Sequence, residues 1–309
     1  MKPLRRDLAA AQLLAELAGL AQPTARRSVP AARRARLHLL RAGLDERHPP
    51  APLDPDRLRA GLGQRASIDL RWGCPSTLDS LRLLPPSLPH VVISEWQWAG
   101  RGRQTRRWLS PLSGNYYIGL ACRLPPASAR LSTLPLLLGV AVAEGLRALQ
   151  VPVQLKWPND LMVGERKLGG LLVELAQQRG ELVARIGVGL NWRLAHPLRQ
   201  QIDRVACDLS ELMTTLPDRT ALLLDLLHRL LDAVDALVAG RSGQWLARWR
   251  QLDCLHGRQL QVSQAGELIK GVADSVDASG RLRLRSGDAV RLLDAAEVRR
   301  VWPQSAAES

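Results

Sequence analysis

Between residues 151 and 191, apolar and polar positions alternate in short runs separated by tight polar turns: VPVQLKW, Pro-Asn-Asp, LMV, GERK, LGGLLVEL, QRGE and LVARIGVGLNW. Alternation of this kind predicts half-buried strands, and connections this short predict antiparallel neighbours, so the stretch reads as one continuous meander. Upstream, HVVISEW (90–96) and NYYIGLACRL (115–124) read as two further strands. A helix is predicted from Leu134 to Gln150, apolar nearly all round and therefore buried, with Ser132 and Thr133 as capping candidates and Pro135 in its first turn. Downstream, 219–239 is a leucine-rich helix ended by Gly240. Beyond His256 the runs GRQLQVS, ELIKGVADSVD, GRLRLRS and AVRLL, with glycine turns, predict a small β-barrel.

The amino-terminal fifth follows a helical period instead. Residues 4–20 carry Leu13, Leu17 and Leu20 at helical spacing, and 30–42 form a second helix entered by Pro30 and closed by Gly43. Asp7, Gln12 and Glu16 interrupt what would otherwise look like the apolar segment of a signal peptide, so an amphipathic helix of a cytoplasmic protein is expected. HPPAPLDPD (48–56) is a proline-rich linker, DPDRLRAGL (54–62) restarts a helix, and Pro85, Pro86 and Pro89 precede the HVVISEW strand. These breaks divide the chain into 1–50, a short basic helical segment; 51–255, an α/β (α+β) domain; and 256–309, the small barrel.

Charge sharpens the picture at one end. The chain of 309 residues has a net charge of +14, and residues 1–50 hold ten Lys or Arg against four Asp or Glu. Two short helices with Arg33, Arg34 and Arg36 on the second admit a helix-turn-helix contacting phosphates. They equally admit a helical cap with a solvated basic face, which the missing third helix and wing favour. No run of about 20 apolar residues occurs, which argues against a membrane span. Cys74, Cys122, Cys207 and Cys254 are far apart with no C-x-x-C pair, so neither zinc nor a disulfide framework is indicated. The six histidines have no ligand-spaced partners and receive no role.

Candidate chemistry concentrates in two places. In SEWQWAGRGRQTRRWLSPLSGN (94–115), Gly100-Arg101-Gly102-Arg103 alternates glycines that allow close backbone approach with guanidinium forks that match an oxyanion, although a solvated arginine-rich loop would have the same composition. In KWPND (156–160), Asn159-Asp160 reads either as turn chemistry or as a functional amide and carboxylate. Lys167 follows in GERKLGG, where Gly169 and Gly170 leave the strand bare enough for a planar group to lie against it; an ordinary edge-strand lysine is the alternative.

The order GRGR…W-x-S-P…N, KWPND, RKLGG-x-L-V-E and G-x-G-x-N (Gly187, Gly189, Asn191) resembles the biotin protein ligase family, including the bifunctional biotin operon repressors, over about residues 70–300. The resemblance implies a central mixed-sheet catalytic domain, related to class II tRNA synthetases and lipoate ligases, followed by an SH3-like barrel. It implies an ATP-dependent, AMP-forming reaction in which biotin becomes biotinyl-5′-AMP, Mg²⁺ being carried with ATP and no further metal site being expected. A lysine of the biotin carboxyl carrier protein of acetyl-CoA carboxylase then takes the biotin. By the same resemblance Arg101, Arg103 and Lys167 are the catalytic set, with Lys167 best placed to stabilise the transition state. Ser76, Thr77, Gln97, Gly100, Arg101, Lys167 and Gly169 bind biotin, and Arg103, Trp108, Asn159, Asp160 and Asn191 bind the nucleotide. The family's sheet edges often pair as homodimers; no membrane partner is implied.

The chain departs from the family pattern at Pro75 and Leu78, which flank Ser76-Thr77 where Asp and Asn are usual, and at Thr105, where glycine is usual. Two alternatives stand beside the ligase: a bifunctional ligase that also binds DNA as a biotin-dependent repressor, and a lipoate or octanoate ligase on the same fold.

Overall fold

A computed structural model describes residues 52–301 apart from 83–88, 105, 126–130, 179, 195–198, 200, 201, 203, 204, 265, 295 and 296. The expected helices at 4–20 and 30–42, with their basic face, lie outside the described residues, as do Pro85, Pro86 and Thr105. The described elements run α1 (Pro55–Leu62), β1 (Ser67–Arg71), α2 (Thr77–Arg82), β2 (His90–Ser94), β3 (Asn115–Leu124), α3 (Leu134–Ala148), β4 (Gln154–Lys156), β5 (Asp160–Val163), β6 (Arg166–Gln178), β7 (Glu181–Asn191), α4 (Leu209–Leu212), α5 (Arg219–Val238), α6 (Ser242–Leu252) and β8 to β12 (Gln259–Gln264, Glu267–Val276, Leu282–Ser286, Ala289–Leu293, Glu297–Val301). Seven strands form one mixed sheet in the order β1-β2-β3-β7-β6-β5-β4, and five form a second in the order β11-β10-β9-β8-β12. By contact, the chain divides into two compact units: the residues up to Cys122 with Arg185–Thr220, and Arg123–Ala184 with the residues from Ala221 onward.

In the first unit, Asp54 caps α1 by accepting from the Asp56 and Arg57 amides, and Pro55 needs no amide partner in the first turn. β1 pairs parallel with β2, and β2 pairs antiparallel with β3. Val91, Val92 and Ile93 are all fully buried, so this strand reads as a continuous apolar run, as expected where both faces are covered. The parallel partner SIDLR has no such run, and its pairing comes from a strand some twenty residues away. α2 begins at Thr77, so Ser76-Thr77 stands at a helix entrance.

In the second unit, α3 is buried along nearly its whole length because its apolar residues fall on every face. Together with the 3₁₀ turn before it, it is long and apolar enough to cross a membrane by composition, yet most of it is packed inside the fold. Thr133 occupies its N-cap without a side-chain cap bond, and Ser132 instead donates its hydroxyl to the Ser279 carbonyl at 2.6 Å. The capping expected of these two residues is therefore corrected: Pro135 removes one of the orphan amides, and Ser132 serves a tertiary contact. The expected meander is found in β4–β5–β6, antiparallel throughout, and Gly240 ends α5 with φ +71°.

The C-terminal sheet buries Leu260, Val262, Ile269, Leu282 and Leu284. Its β9–β10 turn reaches the KWPND turn within the same unit. Asp277 holds that turn by accepting from the Ser279 and Arg281 amides, and Gly280 O then accepts the buried Trp157 indole N–H at 3.0 Å.

All four cysteines are free thiols, three of them buried. Burial pushes Cys74 up and Cys254 up to about 12, so neither is a ready thiolate. Beside Cys254, burial is the largest influence on Asp253, raising it from 3.8 to about 6 against a hydrogen bond from the Leu255 amide. A carboxyl raised on folding contributes stability that is complete below the unfolded value near 3.8 and is lost as pH rises through about 6. Asp253→Asn is therefore expected to be more stable than wild type by about 1–2 kcal/mol near neutral pH, with the difference shrinking toward about pH 4. Urea unfolding of both proteins across that range checks it; equal stability at neutral pH would contradict it.

Candidate functional site

The residues expected to carry chemistry fall into two groups, one in each unit. In the first unit, two backbone segments lie side by side. Cys74 bridges Gln97, the Trp98 amide donates to Cys74 O, and the Ala99 amide donates to Pro75 O at 2.9 Å. Gln97 locks them together. Its Oε1 accepts the Thr77 amide at 2.7 Å and its Nε2 donates to Ser110 Oγ at 3.0 Å, while Ser110 Oγ donates to Trp108 O. Gln97 and Ser110 are buried, so each of these side-chain polar groups needs the partner it has, and Ser76 and Thr77 are buried beside them.

Beyond Gln97 the glycine-arginine stretch turns back on itself. Trp108 N donates to Gly100 O at 2.9 Å, Gly102 N donates to Arg106 O at 2.8 Å, and Arg101 bridges Arg107. Gly100 sits at the closest approach, where an added Cβ would lie 2.4 Å from Trp108 O. Arg101 does not wave in solvent: its Nη1 donates to Asp79 Oδ1 on α2 at 3.0 Å, with both side chains about one-third exposed. Arg103 is half-buried at the tip of the turn, where its carbonyl accepts the Arg106 amide.

The G-x-G-x-N motif on β7 makes room for this group. A Cβ on Gly187 would be 2.9 Å from Leu78 Cδ1, and one on Gly189 would be 2.5 Å from Trp108 Cε2. The bare strand thus receives the Trp108 indole and the Leu78 side chain. Leu78, one of the departures from the family pattern, is a buried packing residue. Asn191 is buried, and its Nδ2 donates to Cys207 O at 2.9 Å, so it fastens the chain after β7.

In the second unit, Asn159 and Asp160 both look across the sheet. Asn159 Nδ2 donates to Leu171 O at 2.6 Å and the Leu171 amide donates back to Asn159 O, so Asn159 ties the β4–β5 turn to β6. Asp160 Oδ1 accepts the Lys167 ammonium at 2.6 Å, with side-chain exposures of 12% and 20%. A bulge in the β5–β6 register brings Gly170 opposite Asp160 and Gly169 opposite Leu161. Lys167 lies along the strand with its Cε and Nζ 3.2 Å from where a Gly170 Cβ would be, so the absence of that Cβ is what lets the lysine lie flat. Asp160, expected on the nucleotide side, is the residue that holds the lysine.

The first-unit residues expected to bind biotin, Ser76, Thr77, Gln97, Gly100 and Arg101, are brought together. Lys167, Gly169, Asn159 and Asp160 are brought together in the second. Sequence reading missed Asp79, which has no local signal because its partner is 22 residues away. Among the described residues, no group of three or more His, Cys, Asp or Glu is arranged to hold a metal ion.

Comparison with known proteins bears on both groups. Residues 73–191 match the model of the Biotin/lipoate A/B protein ligase family. The chain is 33% identical over 203 residues to the bifunctional ligase/repressor BirA of Salmonella typhimurium, covering 65% of this chain and 63% of that protein, so it spans less than two-thirds of that relative's length. It is 31% identical over 217 residues to the biotin–[acetyl-CoA-carboxylase] ligase of Mycobacterium tuberculosis, covering 67% of this chain and 77% of that one. In structure it is similar to a biotin protein ligase from Aquifex aeolicus in complex with biotin and ATP, with TM-score 0.66 and 24% identity, covering 76% of this chain and 99% of that one; at this identity the likeness is one of fold.

Proposed function

Because the chain belongs to the Biotin/lipoate A/B protein ligase family, we propose that it is a biotin protein ligase, activating biotin with ATP and transferring it to a lysine of a biotin carboxyl carrier protein. The observation that carries this reading is the Lys167–Asp160 contact, an ammonium held in one place against backbone that Gly170 leaves bare. A fixed cation beside an open strand suits a reaction in which negative charge grows on phosphate and no side-chain nucleophile is needed.

In the first step a biotin carboxylate oxygen attacks the α-phosphorus of ATP. The bond to the β-phosphate bridging oxygen breaks, and biotinyl-5′-AMP and pyrophosphate form; Mg²⁺ accompanies ATP as part of the substrate. In the second step a carrier lysine amine, having lost its proton, attacks the mixed anhydride carbon and AMP leaves. Lys167 stabilises the α-phosphoryl charge in both steps. Ser76, Thr77, Gln97 and the Gly100 backbone hold the ureido ring and carboxylate, and Arg101, oriented by Asp79, neutralises the carboxylate. Trp108, Asn159, Asp160 and Asn191 serve the nucleotide side, Asn159 and Asn191 through the backbone segments they fasten and Asp160 through the Lys167 ammonium it holds. The domain boundaries near 50 and 255, a cytoplasmic location and a homodimer belong to the same proposal. Transfer of labelled biotin to a carrier domain, with lipoate and octanoate as competitors, tests it. Label on the carrier, undiminished by either competitor, is expected; labelling by octanoate or lipoate in preference to biotin would overturn it.

Arg103, at the tip of the turn, covers the adenylate and keeps water from it. Arg103→Gly is expected to release biotinyl-AMP about tenfold faster and to put biotin on unrelated lysines, read by blotting bystander proteins. Unchanged selectivity would remove the covering role.

A second reading has its own observation, the surplus of ten basic over four acidic residues in 1–50. It would make the chain a repressor as well, like the Salmonella relative, a bifunctional ligase/repressor. A gel shift with operator DNA at physiological salt, with biotin and ATP present, decides; no sequence-preferred complex would leave the ligase alone.

A further inference from the structure

Glu95 and Arg219 form an ion pair with exposures of only 7% and 3%. Arg219 Nη1 donates to Glu95 Oε2 at 2.8 Å and to Oε1 at 3.2 Å, and its Nη2 donates to Asn115 O at 3.1 Å. Glu95 Oε2 also accepts the Ser113 hydroxyl at 3.0 Å, and Oε1 accepts the Leu53 amide at 3.3 Å. The backbones add to this, since Ser113 N donates to Glu95 O at 2.7 Å. From the other side Tyr116 donates its hydroxyl to Arg219 O at 2.9 Å, and its ring lies 5.5 Å from the guanidinium carbon. Burial pushes the Tyr116 hydroxyl well up, so it remains a neutral donor.

Glu95 is the residue from which the chain leaves β2 for the glycine-arginine turn, and Ser113 and Asn115 are where it returns to β3. Both ends of that excursion therefore converge on one carboxylate and one guanidinium. A buried ion pair is a poor way to add stability, because desolvation offsets most of the attraction and packed apolar side chains would do as well. What the pair supplies is direction. The planar fork of Arg219 fixes three acceptors at once, which an apolar contact cannot do. Arg219 also stands at the first turn of α5, where the helix dipole disfavours a cation, and that first turn holds no acidic residue. Its placement there is explained by its partner and not by the helix.

We propose that Glu95 and Arg219 are a positioning pair that clasps the two ends of the 96–112 excursion and so fixes where Gln97, Gly100, Arg101 and Arg103 meet substrate. The catalytic half of this statement rests on the ligase reading above; the mechanical half does not. Neither residue is among those assigned above to biotin or nucleotide, and both are buried. Weakening the clasp lets the excursion move while the sheet beneath it stays folded.

The test uses the full chain with Glu95→Gln, which keeps the shape but not the charge, and Arg219→Lys, which keeps the charge but not the fork. Ser113→Ala removes one bond without leaving a buried charge and serves where either of the others fails to fold. Near-ultraviolet circular dichroism establishes folding. Trypsin under native conditions then reads the excursion through cleavage after Arg101, Arg103, Arg106 and Arg107. In the first two variants this cleavage is expected to be about tenfold faster than wild type with cuts elsewhere unchanged, and in Ser113→Ala about threefold faster. In the adenylation assay, KM for biotin is expected to rise about tenfold while KM for ATP stays within about twofold. A folded variant with the wild-type cleavage rate and biotin KM overturns the proposal, since a merely structural pair would lower only the melting temperature. If wild type makes no biotinyl-AMP, the ligase reading fails, and the trypsin comparison still decides the clasp.

Discussion

Lys167→Ala is expected to lower the rate of adenylate formation by about 10³-fold while leaving a folded protein. The size follows from the role: an ammonium that meets growing phosphate charge in a partly water-excluded place acts in the transition state far more than in the ground state. KM for biotin should therefore change much less than kcat. The substitution also removes the cation that Asp160, at 12% exposure, faces at 2.6 Å. A stability loss of about 1–3 kcal/mol should accompany it, well short of unfolding a domain of ordinary stability. Lys167→Ala with Asp160→Asn separates the two effects, because the neutral amide removes the stranded charge. The double variant should recover most of the stability and none of the activity. Pre-steady-state formation of biotinyl-AMP and urea unfolding measure the two sides, and a single variant with near-normal turnover would show that Lys167 is an ordinary strand lysine.

Gly100→Ala should lower kcat/KM for biotin by about 10²-fold, although it adds only one methyl group. The methyl would stand 2.4 Å from Trp108 O and 2.6 Å from Ser110 Oγ, distances that backbone and a hydrogen-bonded hydroxyl cannot give way to. The turn must open there, breaking the Trp108 N to Gly100 O bond and pulling Ser110 from Gln97. Gln97 then no longer holds the Thr77 amide in place, and the two biotin-side segments part. Gly102 provides the internal comparison. A Cβ there would meet nothing closer than Arg106 O at 3.4 Å, so Gly102→Ala should stay within about threefold of wild type. If both alanine variants behave alike, close backbone approach is not what the first glycine supplies.

Much of the fold was legible because its elements are local. The 151–191 alternation gave the meander, and the 134–150 stretch, apolar nearly all round, gave a buried helix, since both patterns are written in neighbouring residues. β1 was missed because SIDLR has no apolar run and becomes a strand only by pairing with β2. The clasp was missed for the same kind of reason. Glu95 lies inside the stretch already marked for chemistry, but its partner is 124 residues away. The one hint was an arginine in the first turn of a helix, where a cation has to have some reason other than the helix to be there.

The candidate site was legible in identity more than in arrangement. GRGR, KWPND and RKLGG marked stretches whose side chains the fold ties to other elements. Their composition could not say that Arg101 would be turned toward Asp79, that Asn159 would fasten β6, or that Asp160 would hold Lys167. Each of these is a contact across the fold between residues whose spacing along the chain is arbitrary. The bare strand at Gly187 and Gly189 is a further case: glycines first noted as part of a motif prove to be hollows filled by Leu78 and Trp108.

The most direct measurement mixes the protein with biotin, Mg²⁺ and α-labelled ATP in the absence of any acceptor protein, and separates bound from free nucleotide after a single turnover. A ligase of the kind proposed retains close to one labelled biotinyl-AMP per chain and releases it as AMP when a carrier domain is added. No biotin-dependent adenylate from folded protein, or faster adenylate formation with octanoate or lipoate, would contradict that account.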